Sequence, residues 1–420
     1  MGASHTLLMD IQKPSAPSLK YRLLSILLFI PWVLFAFWHA YQHRNLSYLK
    51  HRLGFVKRQK ADIWLHASSV GEVNLIRTLS IELAKEHSIL VTTFTATGMR
   101  NAQRIFKNTG INVSVIPIDL FIPITSFFSA VSPKISLVAE TEIWPELLFQ
   151  AKKHQSELLH INARLSNKTL KTSGFKQEIL KQALRNFSHH YVRNEVDANN
   201  FASLEVDQKK ISVMGNLKFS QFNQIEDKIK EEITRPYVLL ASSHDNEEQL
   251  ITDFWVGLKT PPLLVIAPRH PDRAKVIIAH LKTLNVNYSV RSHQQPITTD
   301  TQVYLADTFG EMGLWFSHCQ FVIMGGSFVD IGGHNLLEPA FFERCVVTGP
   351  SDTNIKEDIE FLKQHDGVIQ VQSVDELKSC VNQLLENEEE IKMIGMNSKL
   401  AVSQQQTIIP DYVTAIQSYF

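Results

Sequence analysis

The chain has only three cysteines in 420 residues, Cys319, Cys345 and Cys380. They are too few and too scattered for a disulfide framework or a zinc site. Their number is typical of a protein in a reducing compartment, where cysteine serves as a small buried apolar side chain. The formal net charge is zero, and no basic run is interleaved with aromatic residues. Both observations argue against nucleic-acid binding.

Several ligand-binding signatures are also absent from the sequence. No Gly-x-Gly-x-x-Gly follows a predicted strand, which disfavours a nicotinamide-dependent dehydrogenase, and there is no P-loop. Because no Asp-x-Asp occurs, we do not expect a glycosyltransferase of the metal-chelating GT-A type. No Cys-x-x-Cys occurs either, and we predict that the chemistry uses no protein-bound metal.

Residues 23–43 contain no lysine, arginine, aspartate or glutamate. At ~1.5 Å per residue, a helix over this stretch would extend about 30 Å, roughly one hydrocarbon core. We therefore predict a membrane anchor over residues 21–43, preceded by a tail over residues 1–20. A cleaved signal peptide and a buried core helix are the alternatives. The first is disfavoured because no small-x-small site follows the run.

The flanks of this segment predict its orientation. Three basic residues precede the segment and a larger number follow it: Lys13, Lys20 and Arg22 before, and Arg44, Lys50, Arg52, Lys57, Arg58 and Lys60 after. The more basic flank of a membrane segment stays in the cytoplasm. The body of the protein is therefore expected on the cytoplasmic side.

The body is predicted to contain two α/β domains, over residues 44–218 and 237–420, joined by a linker over residues 219–236. Short apolar strands alternate with amphipathic helices, as in the strand Asp62–His66 and the helix Glu72–Lys85 that follows it. This alternation predicts parallel sheets with helices on both faces. Two doubly wound, Rossmann-like domains that face a cleft form the architecture called GT-B.

Charged residues follow several predicted strands of the first domain, where ligands bind in open parallel sheets. Glu72 begins a helix there, and it either accepts a proton from an acceptor hydroxyl or only complements the helix dipole. Glu140 directly follows an apolar strand and is the better functional candidate among the carboxylates of that segment. Lys218 either reaches a phosphate or carboxylate or is a solvated charge.

The second domain has four strand-end segments suited to phosphate and ribose. Arg269 can pair with an anionic group, and the segment Asp307–Met312 opens a helix whose N–H groups suit phosphate. Glycines in Gly325–Ser327 and Gly332–Gly333 would let a nucleotide lie close, and Glu338 could accept from ribose hydroxyls. Together these segments predict a nucleotide site.

Taken together, these segments resemble the 3-deoxy-D-manno-octulosonic acid (Kdo) transferases of lipopolysaccharide synthesis. The resemblance runs from about Arg52 to the C terminus, and that family has an N-terminal membrane segment and a GT-B fold. It is carried by phrases that occur in one order: HASSVGE (66–72), AETEIWPEL (139–147), INARLS (161–166), GNLKF (215–219), APRHP (267–271), DTFGEM (307–312), GGSFVDIGGHNLLEPA (325–340) and TGP (348–350).

The resemblance implies transfer of Kdo from CMP-Kdo, a co-substrate, to a tetraacylated lipid A precursor (lipid IVA), with inversion and without a metal or cofactor. It implies that Glu72 is the general base and that Glu140 and Lys218 stabilise the transition state. It places the enzyme on the cytoplasmic side of the inner membrane, and we expect no obligate protein partner. The implied CMP contacts are Pro268, Arg269, Phe309, Gly310, Glu311, Met312, Asn335, Leu336, Leu337 and Glu338.

Two alternatives remain open at this point. One is another GT-B enzyme, such as a different lipid-linked sugar transferase or a nucleotide-sugar epimerase. The other is an inactive nucleotide-binding scaffold on the membrane, which the presence of Glu72 disfavours. The sequence departs from the family pattern at His51, where an acidic residue is more common.

Overall fold

The computed structural model describes residues 13–42, 50–55, 59–222, 233, 235–405 and 408–420. The chain forms two compact units, the first of Met1–Gln221 with Thr407–Phe420 and the second of Phe222–Gln406. The division falls inside the segment predicted as a linker. Most of that segment, residues 223–232 and 234, lies outside the described residues.

The first unit is built on a seven-stranded sheet in the order β3-β2-β1-β4-β5-β6-β7, with every neighbouring pair parallel. The residues of its central strands are buried, as expected when helices cover both faces of a parallel sheet. The strands are β1 Ile63–His66, β2 Ile89–Thr93, β3 Asn112–Val115, β4 Ile135–Ala139, β5 Glu157–Ala163, β6 His189–Val192 and β7 Ile211–Val213.

Helices connect these strands, and a 3-10 helix, Leu217–Phe222, follows the last one. The core beside them is rich in aromatic rings, with Trp64 in edge contact with Phe127 and Phe128. The helices are α3 Val70–Leu83, α4 Ala96–Ile105, α5 Phe121–Val131, α6 Pro145–Lys153, α7 Asn167–Leu170, α8 Gly174–Leu184 and α9 Glu195–Ser203.

The second unit repeats this plan with a seven-stranded parallel sheet in the order β10-β11-β9-β8-β12-β13-β14. Its strands are β8 Tyr237–Ser243, β9 Leu263–Pro268, β10 Tyr288–Val290, β11 Val303–Leu305, β12 Phe321–Met324, β13 Cys345–Thr348 and β14 Ile369–Gln370. Its helices are α10 Glu247–Trp255, α11 Ala274–Thr283, α12 Met312–His318, α13 Leu337–Phe341, α14 Lys356–Lys363, α15 Val374–Glu386 and α16 Glu388–Ser403.

The last helix, α17 Ile408–Gln417, belongs to the first unit. This differs from the sequence-based assignment, which kept the chain in the second domain up to residue 420. The fully buried Tyr412 explains the difference, because its hydroxyl accepts a hydrogen bond from the backbone N–H of Asn162 at 3.1 Å. A tyrosine hydroxyl that is buried needs such a partner, and the first unit supplies it.

The N-terminal segment forms two helices, α1 Leu19–Leu27 and α2 Phe29–Gln42, where the sequence predicted one. Pro31 explains the break, because its ring clashes with the carbonyl four residues earlier and its missing N–H is tolerated only in a first helical turn. Among the described residues, no helix combines the length and the apolar character needed to cross a bilayer. In the described part of residues 21–43, the structure thus has two helices in place of the single predicted one.

Candidate active site

The strand order of the first unit reverses between β1 and β4, which are hydrogen-bonded neighbours. From β1 the sheet extends to β2 and β3, and from β4 it extends the other way to β7. Such a reversal leaves a crevice at the carboxyl ends of the two strands, where ligands bind in open parallel sheets. Glu72 follows β1 and Glu140 follows β4, so both predicted residues lie at this crevice.

Glu72 lies in the first turn of α3, whose N-cap is Ser69. One carboxylate oxygen accepts from the backbone N–H of Ser68 at 2.7 Å, and the other accepts from the Ser69 hydroxyl at 2.9 Å. Glu72 therefore caps the helix as well as facing the crevice. Burial raises the pKa of Glu72, and the negative charges of Glu142 and Glu140 raise it further. A carboxylate fixed in this way is suited to accept a proton.

Glu142 carries a third carboxylate of this cluster. The Trp144 indole donates to Glu142 Oε2 at 2.6 Å, and Nε2 of the buried His66 lies 3.6 Å from the same oxygen. Burial favours the neutral carboxyl, but these contacts outweigh it and lower the pKa of Glu142. Glu142 therefore remains ionised, and its charge favours proton uptake by Glu72.

Glu140 has a left-handed backbone conformation, with φ of 55°, which is uncommon for a residue with a long side chain. Three residues of β5 or just after it hold Glu140. The His160 Nε2–H donates to the Glu140 carbonyl at 2.7 Å, Asn162 Nδ2 donates to Oε1 at 3.3 Å, and the Arg164 guanidinium lies 3.3 Å from Oε2. Backbone strain of this kind persists only where the surroundings enforce it, often at functional sites.

Lys218 lies in the 3-10 helix Leu217–Phe222, and its side chain is half-buried. Its backbone N–H donates to Asn216 Oδ1 at 3.0 Å, and the N–H of Leu217 donates to Asn162 Oδ1 at 2.8 Å. The Asn162 side chain therefore links the segment that carries Lys218 to the Glu140 carboxylate.

The second unit has an equivalent reversal at β8 and β12, and a buried carboxylate fills part of it. Glu247, at the start of α10, is fully buried. Its carboxylate accepts from the backbone N–H groups of Gly326, Ser327 and Phe328 at 2.7, 3.1 and 2.9 Å, and from that of His244 at 2.9 Å. These amides are satisfied inside the protein.

The glycines of this region were predicted to let a nucleotide lie close, and the structure gives two of them another role. A Cβ on Gly325 would lie 2.6 Å from the Ser242 carbonyl oxygen, and a Cβ on Gly332 would lie 2.3 Å from the Thr353 hydroxyl. Gly332 also has φ of 94°, a conformation that favours glycine. At these two positions the close neighbour is the protein itself.

A pair of histidines lies beside Arg269. The Nε2 atoms of His244 and His334 are 2.7 Å apart in stacked rings. One of the two Nε2 atoms must donate and the other must accept. The accepting Nε2 carries no proton, so at least one of the two imidazoles is neutral. Burial lowers the pKa of both, to about 4 for His334, and the charges of Arg269 and His270 add to the effect. The residues that the structure describes contain no cluster of His, Cys, Asp or Glu suited to a metal.

The run Phe309–Met312 follows β11 and ends on Met312, the first residue of α12. Phe309 is 79% exposed. The Glu311 carboxylate forms an ion pair with Arg291 at 2.7 Å and accepts from the Thr308 hydroxyl. This carboxylate is therefore held by the protein, and the backbone and Phe309 are the parts of the run open to a ligand.

Other residues predicted to contact CMP differ in their exposure. Pro268 ends β9, and Arg269 after it is exposed. Leu336 and Leu337 are fully buried, so their side chains belong to the core. Burial raises the pKa of Glu338, and no hydrogen bond from the described part of the chain offsets this. Glu338 is therefore a carboxylate with unused acceptor capacity.

Comparison with known proteins then places the chain in a family. Residues 47–221 match the family model described as 3-Deoxy-D-manno-octulosonic-acid transferase (kdotransferase). The transferase of that name from Rickettsia typhi is 30% identical over 397 residues, covering 91% of this chain and 84% of that protein. The one from Haemophilus influenzae is 32% identical, covering 79% of this chain and 81% of that protein.

The chain belongs to the Kdo transferase family. It is therefore a glycosyltransferase of lipopolysaccharide synthesis, as the resemblance implied. Among solved structures, UDP-GlcNAc 2-epimerase from Neisseria meningitidis bound to UDP-GlcNAc has a TM-score of 0.59, with 15% identity, and covers 84% of this chain and 99% of that chain. At that identity the likeness supports only the fold of this Kdo transferase and not its activity. The fold is GT-B-like, with two parallel-sheet units.

Several residues at the strand reversals of the two units of this Kdo transferase were not singled out from the sequence. Asn162, Arg164 and His334 lie in phrases that carry the resemblance, but nothing local assigns them a role. His244 and Glu247 follow the predicted strand that begins at Tyr237, so the strand-end rule that selected Glu72 also points to them.

Proposed function

We propose that this Kdo transferase moves Kdo from CMP-Kdo to a tetraacylated lipid A precursor (lipid IVA), inverts the anomeric centre, and requires no metal ion. The observation that carries the proposal is the Glu72 carboxylate, held by Ser68 and Ser69 at the end of β1, with its pKa raised by burial. One base suffices for direct displacement, because only the proton of the attacking hydroxyl has to be removed.

In the proposed step, the acceptor hydroxyl oxygen bonds to the anomeric carbon of Kdo while its proton passes to Glu72. The bond from that carbon to the CMP phosphate oxygen breaks, and CMP leaves with the electron pair. Each Glu72 oxygen accepts one hydrogen bond from Ser68 or Ser69. A carboxylate oxygen has two lone pairs, so acceptor capacity remains for the hydroxyl.

We assign Glu140 and Lys218 to stabilisation of the transition state. Positive charge develops at the anomeric carbon, and a fixed carboxylate favours it, whereas a lysine favours the charge on the phosphate or the Kdo carboxylate. The ion pair with Arg164 and the hydrogen bond from Asn162 support this assignment, because they hold the Glu140 carboxylate in one position. Fixed charges of this kind need no reorganisation during the reaction.

We assign donor binding to the second unit, with the CMP phosphate near Arg269 and the His244–His334 pair and the ribose near Glu338. The positive charge of Arg269 acts on both histidines, so an anion at this place would meet several donors. A phosphate that leaves beside such groups has its charge offset by the protein. This supports transfer without a metal ion.

We also propose that the protein attaches to the cytoplasmic face of the inner membrane through α1 and α2. Exposed apolar side chains are concentrated on these two helices, large exposed apolar areas mark interaction sites, and the proposed acceptor is a membrane lipid. The exposed apolar side chains there are Leu23, Leu24, Ile26, Leu27, Leu28, Phe29, Leu34, Phe37, Trp38 and Tyr41. The Lys153 ammonium lies 5.6 Å from the Phe121 ring beside this surface, where it would meet anionic headgroups.

A groove of about 470 Å³ next to α1 suits the acyl chains of that acceptor. Its apolar lining includes Ile26, Phe29, Leu53, Phe55, Phe121 and Ile122. Apolar pockets of this size favour apolar chains, because each buried CH₂ contributes about 0.8 kcal/mol. The groove therefore supports a lipid acceptor over a water-soluble sugar.

The proposal is tested by offering the purified protein CMP-Kdo or UDP-sugars, each with the tetraacylated lipid A precursor. We expect a Kdo-bearing lipid with CMP-Kdo alone, detected by mass spectrometry, and NMR of the new linkage should show inversion. Turnover of only a UDP-sugar, or release of a 2-epimer without transfer, would instead support a different GT-B transferase or an epimerase. Binding of CMP-Kdo without turnover would indicate a scaffold.

A further inference from the structure

Asn162, at the carboxyl end of β5, uses three of its polar groups in different directions. Its backbone N–H donates to the hydroxyl of Tyr412 at 3.1 Å, and its Oδ1 accepts from the N–H of Leu217 at 2.8 Å. Its Nδ2 donates to Glu140 Oε1 at 3.3 Å. The side chain is fully buried. Three separate chain segments therefore meet on one amide residue.

The orientation of this amide is fixed by chemistry. A backbone N–H only donates, so the atom that faces Leu217 has to be Oδ1, and the Nδ2 group then faces Glu140. The backbone of Asn162 is left-handed, with φ of 48°. Asparagine adopts this conformation more readily than most residues with a side chain. Both the side chain and the backbone thus suit asparagine at this position.

We propose that Asn162 is a positioning residue that holds Glu140 and the segment carrying Lys218 in one fixed arrangement. The proposal rests on the transition-state roles assigned to Glu140 and Lys218 above. Leu217, which Asn162 holds, directly precedes Lys218 and begins the 3-10 helix. Because misplacement by ~1 Å can cost a reaction about 100-fold, a residue that ties both groups together affects the rate without touching substrate.

The charges around Glu140 make this role measurable. The groups that face it are the Arg164 guanidinium at Oε2, the Asn162 amide at Oε1, His160 at the carbonyl, and Glu72, which interacts with it through its charge. Asn162→Asp keeps an oxygen for Leu217 and tolerates the left-handed backbone. It also introduces a second carboxylate next to Oε1. Two carboxylates sharing one site raise the pKa of one of them.

For Asn162→Asp we expect kcat to fall about 10- to 100-fold near neutral pH and the acid limb of the kcat–pH profile to move to higher pH. CMP affinity should not change, because donor binding is assigned to the second unit. Tyr412→Phe is the matched control, since it removes the hydroxyl that accepts the Asn162 N–H and leaves the Asn162 side chain in place. It should lower the urea midpoint without moving the pH profile.

Asn162→Gly adds a variant that keeps the left-handed backbone without either side-chain bond. In the double variant with Glu140→Gln, kcat should fall no further than in the more impaired of the two single variants, because both changes disable the same arrangement. The positioning role alone would be overturned by a folded Asn162→Asp variant with wild-type kcat and pH profile. It would also be overturned if the fold-reductions in kcat of the two single variants multiplied in the double variant. Wild-type kcat in Glu140→Gln and in Lys218→Ala would instead overturn the roles on which it rests.

Discussion

The substitution Glu72→Gln distinguishes the role of Glu72 in capping α3 from its proposed role as the general base. Its Oε1 still accepts the Ser68 N–H, and its Nε2 can donate to the Ser69 hydroxyl, so both cap contacts are kept in neutral form. The cost to folding should stay within the ~0.5–2 kcal/mol that a lost cap costs. The amide accepts no proton, and loss of a general base slows reactions about 10²–10⁴-fold, or about 3–5 kcal/mol.

A second capping glutamate in the chain provides a matched control for this experiment. Glu376, in the first turn of α15, accepts the N–H of Gln372 at 2.7 Å, the same distance and the same position relative to the N-cap as in the pair of Glu72 and Ser68. The N–H of Glu376 donates to the N-cap, Ser373. Glu376→Gln should change the free energy of unfolding about as much as Glu72→Gln does and leave kcat unchanged.

The assay is steady-state transfer from CMP-Kdo across pH, with urea unfolding of each variant. Burial and the neighbouring carboxylates raise the pKa of Glu72, and only its ionised form acts as a base. The wild-type rate should therefore fall as the pH decreases through a pKa above the ordinary ~4.3, and the residual rate of Glu72→Gln should lack this limb. A kcat within twofold of wild type, or an equal loss in Glu376→Gln, would refute the base assignment.

The other predictions concern the second unit, the N-terminal helices and metal dependence. Glu247→Gln should destabilise the protein by about 3–6 kcal/mol in urea unfolding, because two of four charge-assisted bonds to the Glu247 carboxylate would lose their acceptor; an unchanged midpoint would contradict this. The double variant Phe37→Ser with Trp38→Ser should weaken vesicle binding, since burial of each exposed side chain in lipid contributes up to about 1.5–3 kcal/mol. Deletion of residues 1–43 should also destabilise the fold by about 3–5 kcal/mol, because Glu146 loses its ion pair with Arg22. Equal vesicle binding by the double variant and wild type would exclude this surface. A chelator should leave the transfer rate intact, and a loss restored by added metal would argue against metal-independent transfer.

The fold class followed from local patterns. The alternation of buried strands with amphipathic helices is visible in the pattern of apolar residues along the sequence, and it predicted two parallel α/β units. Glu72 and Glu140 were selected because each directly follows a strand, and parallel strands end at one edge of a sheet. The sheet order, in which β1 and β4 are neighbours, then placed both at the strand reversal. That adjacency is a property of the sheet, since the two strands are separated by β2 and β3 in sequence.

The break between α1 and α2 had a sequence signal in Pro31, but the run was interpreted by its apolar composition. Composition reports the total apolar character, whereas the length of a helix depends on where its hydrogen bonds are interrupted. The roles of Gly325 and Gly332 were not predicted, for a related reason. A glycine indicates that something approaches closely, and only the structure shows that the neighbours of Gly325 and Gly332 are Ser242 and Thr353.

The sequence by itself determined the strand-helix alternation, the family, and the carboxylates at the strand ends, because each depends on residues that are close together along the chain. Only the tertiary structure decided what holds those carboxylates. Asn162 contacts Glu140, Leu217 and Tyr412. Tyr412 is 250 positions away in the chain, and no local pattern records a hydrogen bond that forms only when α17 returns to the first unit.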